Sequence, residues 1–214
     1  MVNLTRIYTR AGDDGTTRLV DNSLVDKTDT RLVAYADVDE ANAQIGAVLA
    51  LGDPPDDIRG VLRAVQNDLF DVGADLGNPG RPAAAPGDTA GRPEGEPLRV
   101  RQDYVDRLER WCDRFNERVP PLRSFVLPGG TPAAALLHIA RTAVRRAERS
   151  AWTAVAEHRE TMNLVAVTYL NRLSDLLFIL ARVANAGQDV LWDPGAGRDD
   201  EAAPDEATGD TAHE

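Results

Sequence analysis

The 214-residue sequence predicts an all-α protein, an antiparallel five-helix bundle. Five long segments repeat apolar residues at three- and four-residue spacing, and links bearing Pro or Gly interrupt them. No stretch shows the alternation of a strand that would build a sheet. At this length a single domain with a substantial core is expected over residues 1–195, followed by an acidic tail over 196–214.

Residues 1–30 read as irregular, rich in Thr, Asp, Gly and basic side chains. The first helix is expected over Thr30–Leu51, ending at Gly52-Asp53-Pro54. Pro54 and Pro55 open the second, with Asp56 and Asp57 in its first turn, where the helix dipole favours negative charge. Its apolar face is Ile58, Val61, Leu62, Val65, Leu69, Val72 and Leu76. Residues 77–97 are crowded with Gly and Pro and have no apolar face, so a mobile surface excursion without chemistry is expected there.

The third helix turns Tyr104, Leu108, Trp111, Cys112, Phe115 and Val119 inward and is stopped by Pro120-Pro121. A tight connection, Ser124 to Pro132, leads into the fourth, with Thr131 as N-cap and Pro132 as first helical residue. That helix runs to His158. The fifth is expected from Met162 to Ala186, with Gly187 as a left-handed cap. It is apolar nearly all round, which predicts a central position or cover from another subunit, and hence an oligomer. Beyond Pro194 the tail is expected to be disordered.

The formal net charge is −11, which argues against nucleic acid and against an anionic membrane surface as partners. One cysteine, Cys112, excludes an internal disulfide and a cysteine zinc site, and is read as core. Met1 to Arg6 hold no apolar signal core, and no later stretch reads as a membrane span. A soluble, cytoplasmic protein is expected.

The chemistry concentrates on the fourth helix. His138, Arg141, Arg145, Glu148 and Arg149 share one face, so a side expected to be buried is strongly cationic. Stacked guanidiniums repel one another unless an anion sits among them, and Arg suits phosphate oxygens through paired N–H donors. A polyphosphate site and a solvated basic stripe paired with acids on adjacent helices both fit this pattern. The first helix offers such acids in Asp37, Asp39 and Glu40. Within the fifth helix, Asp175 and Arg182 read as internally paired, Asp175 with an arginine of the neighbouring helix, and Asn171 reads as a ligand residue.

Near the start, Thr9-Arg10-Ala11-Gly12-Asp13-Asp14-Gly15-Thr16-Thr17-Arg18 and the later Lys27 combine glycines, hydroxyls and cations that suit a phosphate chain. Gly-Asp-Asp-Gly alone is as readily a plain turn, and no Gly-Lys-Ser/Thr follows to make a Walker loop. A ferritin-like metal site would need Glu-x-x-His, which the three histidines, His138, His158 and His213, do not supply. No side-chain metal ligand is therefore assigned.

Together these motifs closely resemble the PduO-type ATP:cob(I)alamin adenosyltransferases. The matching residues are Thr5 to Gly15, Lys27, Tyr35-x-x-Val38-Asp39-Glu40, Phe125 to Gly130, Ala140-Arg141-x-x-x-Arg145-Arg146-Ala147-Glu148-Arg149, and Tyr169 to Asp175. The resemblance implies a cobalamin-adenosyltransferase-like five-helix bundle forming a homotrimer with active sites between subunits. It implies that Thr9, Arg10, Ala11, Gly12, Thr17, Arg18 and Lys27 hold ATP from one subunit. Arg145, Arg146, Ala147, Glu148, Arg149 and Asn171 would complete the site from the next. Asp39 and Arg141 would form an inter-subunit ion pair, and Phe125 would close the lower face of the corrin and keep cobalt four-coordinate.

The activity implied is transfer of the 5′-deoxyadenosyl group of ATP to cob(I)alamin, made from cob(II)alamin, with release of triphosphate. Arg145, Phe125 and Asn171 would be the residues acting in it, Mg²⁺ would travel with ATP, and an adenosylcobalamin-dependent mutase would be a client. Where the family commonly has Lys in the loop, this chain has Asp14. That departure supports a competing expectation, a non-catalytic ATP-binding helical-bundle regulator.

Overall fold

The structure, a computed structural model, describes residue 8 and residues 10–80 and 98–196. Thr9, most of the 77–97 excursion and nearly all of the tail lie outside the described residues. The described residues form five helices: α1 (Thr30–Leu51), α2 (Asp56–Leu76), α3 (Gln102–Asn116), α4 (Pro132–His158) and α5 (Leu164–Ala184). Two short strands, β1 (Thr16–Arg18) and β2 (Leu24–Asp26), precede them.

Local chemistry sets the helix starts. The Asp29 carboxylate accepts from the Arg31 amide at 2.8 Å to open α1. Thr131 Oγ1 accepts from the Ala134 amide at 3.2 Å to open α4, with Pro132 following. Asn163 Oδ1 accepts from the Val165 amide at 3.0 Å to open α5. Gly187 takes the left-handed conformation at φ 73°.

α4 lies between α1 and α5, with α2 on the outer side of α1 and α3 on the outer side of α5. The short links α1–α2 and α4–α5 make those neighbours antiparallel. The inward face of α4 is built from Ala133, Ala134, Ala140, Ala143, Ala147, Ala151 and Ala154. Small side chains there let the larger ones of α1 and α5, such as Ile45, Leu170, Leu173 and Leu177, fill the same core.

Several expectations are corrected. The buried stripe of α4 is alanine-rich, and the guanidiniums of Arg145 and Arg149 stand on its exposed side. The first thirty residues include an antiparallel hairpin pairing Thr16 with Asp26 and Arg18 with Leu24. Three residues per strand are too few to display a period, and the pairing is closed by the Leu19–Ser23 turn with Asn22 at φ 67°. α3 ends at Asn116, before the proline pair, where Arg118 leaves the helix axis to pair with Asp57 at 2.5 Å. Asp175 is exposed and pairs with Arg172 of its own helix at 3.2 Å, because a three-residue spacing brings the two together.

α5 also departs from expectation in being long and apolar enough, by length and composition, to cross a membrane. Its hydropathy has a local cause: it is the helix flanked by both α3 and α4, and twelve of its residues are buried.

Two polar clusters tie the helices together. Asp75, fully buried, accepts from Arg99 Nη1, the Val100 amide and Asn163 Nδ2, each at 2.6 Å. Asp68 accepts from Arg107 at 2.6 Å and from the Tyr169 hydroxyl at 2.9 Å. Burial raises both carboxyls above their ordinary range, and these donors hold them back.

Candidate functional site

Three groups of functional side chains are arranged along α4. In the middle, Arg141, Arg145, Ser174, Asp175, Phe178 and Ile179 line a groove of about 250 Å³ between α4 and α5. Arg145 and Arg149 have no acidic partner among the described residues; Arg149 only donates to the Arg145 carbonyl at 3.2 Å. Arg141 donates through Nε to Nδ1 of buried His138 at 3.4 Å. Burial and the nearby Arg145 charge lower the pKa of Arg141, and burial and the Arg141 charge lower that of His138. Such a cluster is short of negative charge.

Glu148 and Asn171 bridge the two helices above it, the Asn171 amide donating to Glu148 Oε1 at 3.0 Å. Asn171 is exposed, and its backbone carbonyl accepts from the Ser174 hydroxyl at 2.9 Å. Arg146 behaves differently from its neighbours. It pairs with Asp37 at 3.2 Å and with Glu40, so α1 supplies counter-charge to one arginine of the row. Ala147 is fully buried and packs against the core. Asp39 is exposed and, like Arg141, forms no ion pair with the described residues of its own chain.

The glycine-bearing loop lies at the C-terminal end of α4, where Thr30 Oγ1 donates to Glu157 at 2.8 Å. Lys27 Nζ donates to the Gly12 carbonyl at 2.6 Å, and its amide donates to the Gly15 carbonyl at 2.8 Å. A Cβ on Gly12 would stand 2.9 Å from the Thr16 carbonyl oxygen and 3.0 Å from Nζ, so the tight approach requires glycine. Asp14 folds back on this turn, accepting from the Thr16 hydroxyl at 2.7 Å and amide at 3.1 Å, which lowers its pKa. Arg18 is fixed through the Asn22 carbonyl at 2.6 Å, and Thr17 is half-buried on β1. Arg10 adopts φ 62° with its guanidinium 5.9 Å from the Tyr8 ring, and Ala11 is exposed.

At the opposite end of α4, Phe125 is 77% exposed with its ring 5.9 Å from that of Trp192. The structure thus brings Arg141, Arg145, Glu148, Arg149 and Asn171 together. Within one chain the loop stays beside Glu157, about 12 Å along the helix from Arg149 and about 18 Å from Arg145.

Sequence reasoning missed the two buried carboxylates and Arg31, which is 2% exposed and donates to the Leu76 carbonyl at 3.2 Å and to Thr161. A signal was available for the acids, since Asp68 and Asp75 lie seven residues apart on the apolar stripe of α2.

Residues 7–184 match the family model described as cobalamin adenosyltransferase. A corrinoid adenosyltransferase of Mycobacterium tuberculosis (strain ATCC 25618 / H37Rv) is 62% identical over 197 residues, 92% of this chain and 97% of the relative. One from Bacillus subtilis (strain 168) is 38% identical over 188 residues, 86% of this chain and 89% of the relative. A variant PduO-type ATP:corrinoid adenosyltransferase from Lactobacillus reuteri, solved with cobalamin and ATP, superposes with a TM-score of 0.74 at 35% identity. That likeness covers 87% of this chain and 99% of the other.

Proposed function

The chain belongs to the cobalamin adenosyltransferase family, and on that footing we propose how its own residues carry out ATP-dependent adenosyl transfer to a corrinoid. The nucleophile is the substrate's own metal, cobalt(I), and no side chain is asked to attack. Its electron pair forms the cobalt–C5′ bond, the C5′–O bond breaks, and that pair departs on triphosphate. Cobalt(I) ends as cobalt(III) in the product, and the cobalt(I) for each turnover is made from incoming cobalt(II) by one electron from an external reductant.

The protein's task is then positioning and charge stabilisation. Arg145 and Arg149, which have no acidic partner among the described residues, meet the phosphates, and Asn171 orients the nucleotide beside Glu148. The observation that carries this reading is the pair Arg141 and Arg145 lining the α4–α5 groove with no ion-pair partner among the described residues. Arg10, Ala11, Gly12, Thr17, Arg18 and Lys27 supply the other half from an adjacent subunit of a homotrimer. The distance between loop and groove within one chain supports such sharing, as do exposed Tyr35, Ile139 and Trp152 on α1 and α4. Asp39 and Arg141 pair across that interface. Phe125 closes the lower face of the corrin.

No trio of His, Cys, Asp or Glu among the described residues forms a metal cage. The cationic donor set suits the triphosphate, and Mg²⁺ would arrive bound to it and offset part of its charge. Asp14 does not favour a non-catalytic reading, because its carboxylate is engaged locally with Thr16.

The test is a spectroscopic turnover assay with reduced cobalamin, with and without ATP. A cobalt–carbon bond forming only with ATP is expected; ATP binding without that bond would replace transfer by nucleotide sensing.

A further inference from the structure

His138 shares the cationic face of α4, and the transfer chemistry above gives it no task. It is 2% exposed, although Arg141, one turn further along, lines the groove. Its ring packs edge-on against Phe178 of α5, with centroids 6.1 Å apart at 61°. Arg141 donates through Nε to Nδ1 of this ring at 3.4 Å, a contact that their spacing on the helix permits. The other ring nitrogen, Nε2, is buried and has no hydrogen-bond partner among the described residues.

These contacts fix the state of the imidazole. A guanidinium carries donors only, so Nδ1 must present its lone pair and the proton of the neutral ring sits on Nε2. A second proton, on Nδ1, would remove the acceptor and set two cations against each other out of water. Burial first, and the Arg141 charge next, hold the pKa of His138 below the ordinary histidine value. Asp189, from the segment after α5, acts in the opposite direction, but it is already paired with Arg182 of α5 at 2.8 Å.

For packing alone an apolar ring would serve better, because it would leave no buried N–H without a partner. What the imidazole supplies, and a benzene ring cannot, is an acceptor for an arginine that has no acid in its own chain among the described residues. We infer that His138 is a positioning residue for adenosyl transfer: as a neutral acceptor it holds Arg141 by Nε, aims the two Nη groups at the α4–α5 groove, and releases the side chain when protonated. This rests on the adenosyl-transfer reading and adds a residue to it. An arginine tethered at one nitrogen loses less freedom when it meets its ligand than one sweeping through solvent.

The test uses the full chain with reduced cobalamin and ATP, comparing wild type with His138→Phe, His138→Asn, Arg141→Lys and the His138→Phe, Arg141→Lys double variant. Phe keeps a ring against Phe178 without an acceptor, whereas the Asn side-chain oxygen stands where Nδ1 stood. His138→Phe should lower kcat/KM about tenfold, the loss of one hydrogen bond to a charged group, without lowering the melting temperature. His138→Asn should recover most of that loss despite its poorer packing. In the double variant the losses should not add, because Lys has no nitrogen at the Nε position for His138 to hold. As pH falls below the ordinary histidine range, wild type should lose turnover faster than His138→Asn, whose amide takes up no proton. Wild-type kcat/KM in His138→Phe, equal losses in the Phe and Asn variants, or additive losses in the double variant each overturn the inference. Should His138→Phe fail to fold, the two pH profiles decide, and parallel profiles overturn it. A wild-type chain that forms no cobalt–carbon bond overturns the underlying reading instead.

Discussion

Arg145 and Cys112 mark opposite ends of what a single residue does here. Arg145 stands exposed with no acidic partner among the described residues, on a helix whose packing face is alanine. Arg145→Ala should therefore lower turnover by roughly 10²–10³-fold, the usual loss of one charge-stabilising donor, while assembly and melting behaviour persist. Near-normal turnover would remove Arg145 from the site. Phe125→Ala should retain ATP binding and lose the four-coordinate cobalt(II) spectrum; a retained spectrum would end the role given to Phe125. Cys112 is half-buried on α3, and burial pushes its thiol up to about 11. It stays protonated near neutrality, so alkylation should become fast only as pH rises toward that value. Cys112→Ala should leave turnover within about twofold, consistent with an unreactive packing residue.

At the scale of the element, α2 and α4 show how a helix face carries more than packing. α2 places Asp68 and Asp75 on its buried stripe, where Arg107, Arg99, Tyr169 and Asn163 arrive from α3, its approach and α5. Asp75→Ala would remove the carboxylate that accepts from Arg99, the Val100 amide and Asn163, and should cost about 3–5 kcal/mol in a denaturant melt. A loss under about 1 kcal/mol would show that the cluster relaxes into solvent. α4 keeps its cations off the core, and its register decides which arginine does what. Arg146, one position on from Arg145, turns to Asp37 and Glu40 of α1, whereas Arg145 turns to the groove with Arg141.

For the whole molecule, the proposed sharing of the loop and the arginine groove between chains rests on their separation along α4 within one chain. Reversing either charge of the proposed interface pair, by Asp39→Arg or Arg141→Asp, should shift the sedimenting species toward monomer. Combining the two should restore the trimer in part. A trimer indifferent to all three variants would place the interface elsewhere.

Helix number, caps and the identity of the cationic residues were readable from the sequence because each depends on neighbours within four or five positions. Thr131-Pro132 and the row of arginines on α4 needed no distant partner to be recognised. The hairpin at Thr16–Asp26, the pairing of Asp189 with Arg182, the contact of Phe125 with Trp192, and the direction in which each arginine points depend on tertiary packing. A helical period states that a side chain lies on a face; only the packed neighbours decide whether that face meets solvent, an acid or an empty groove.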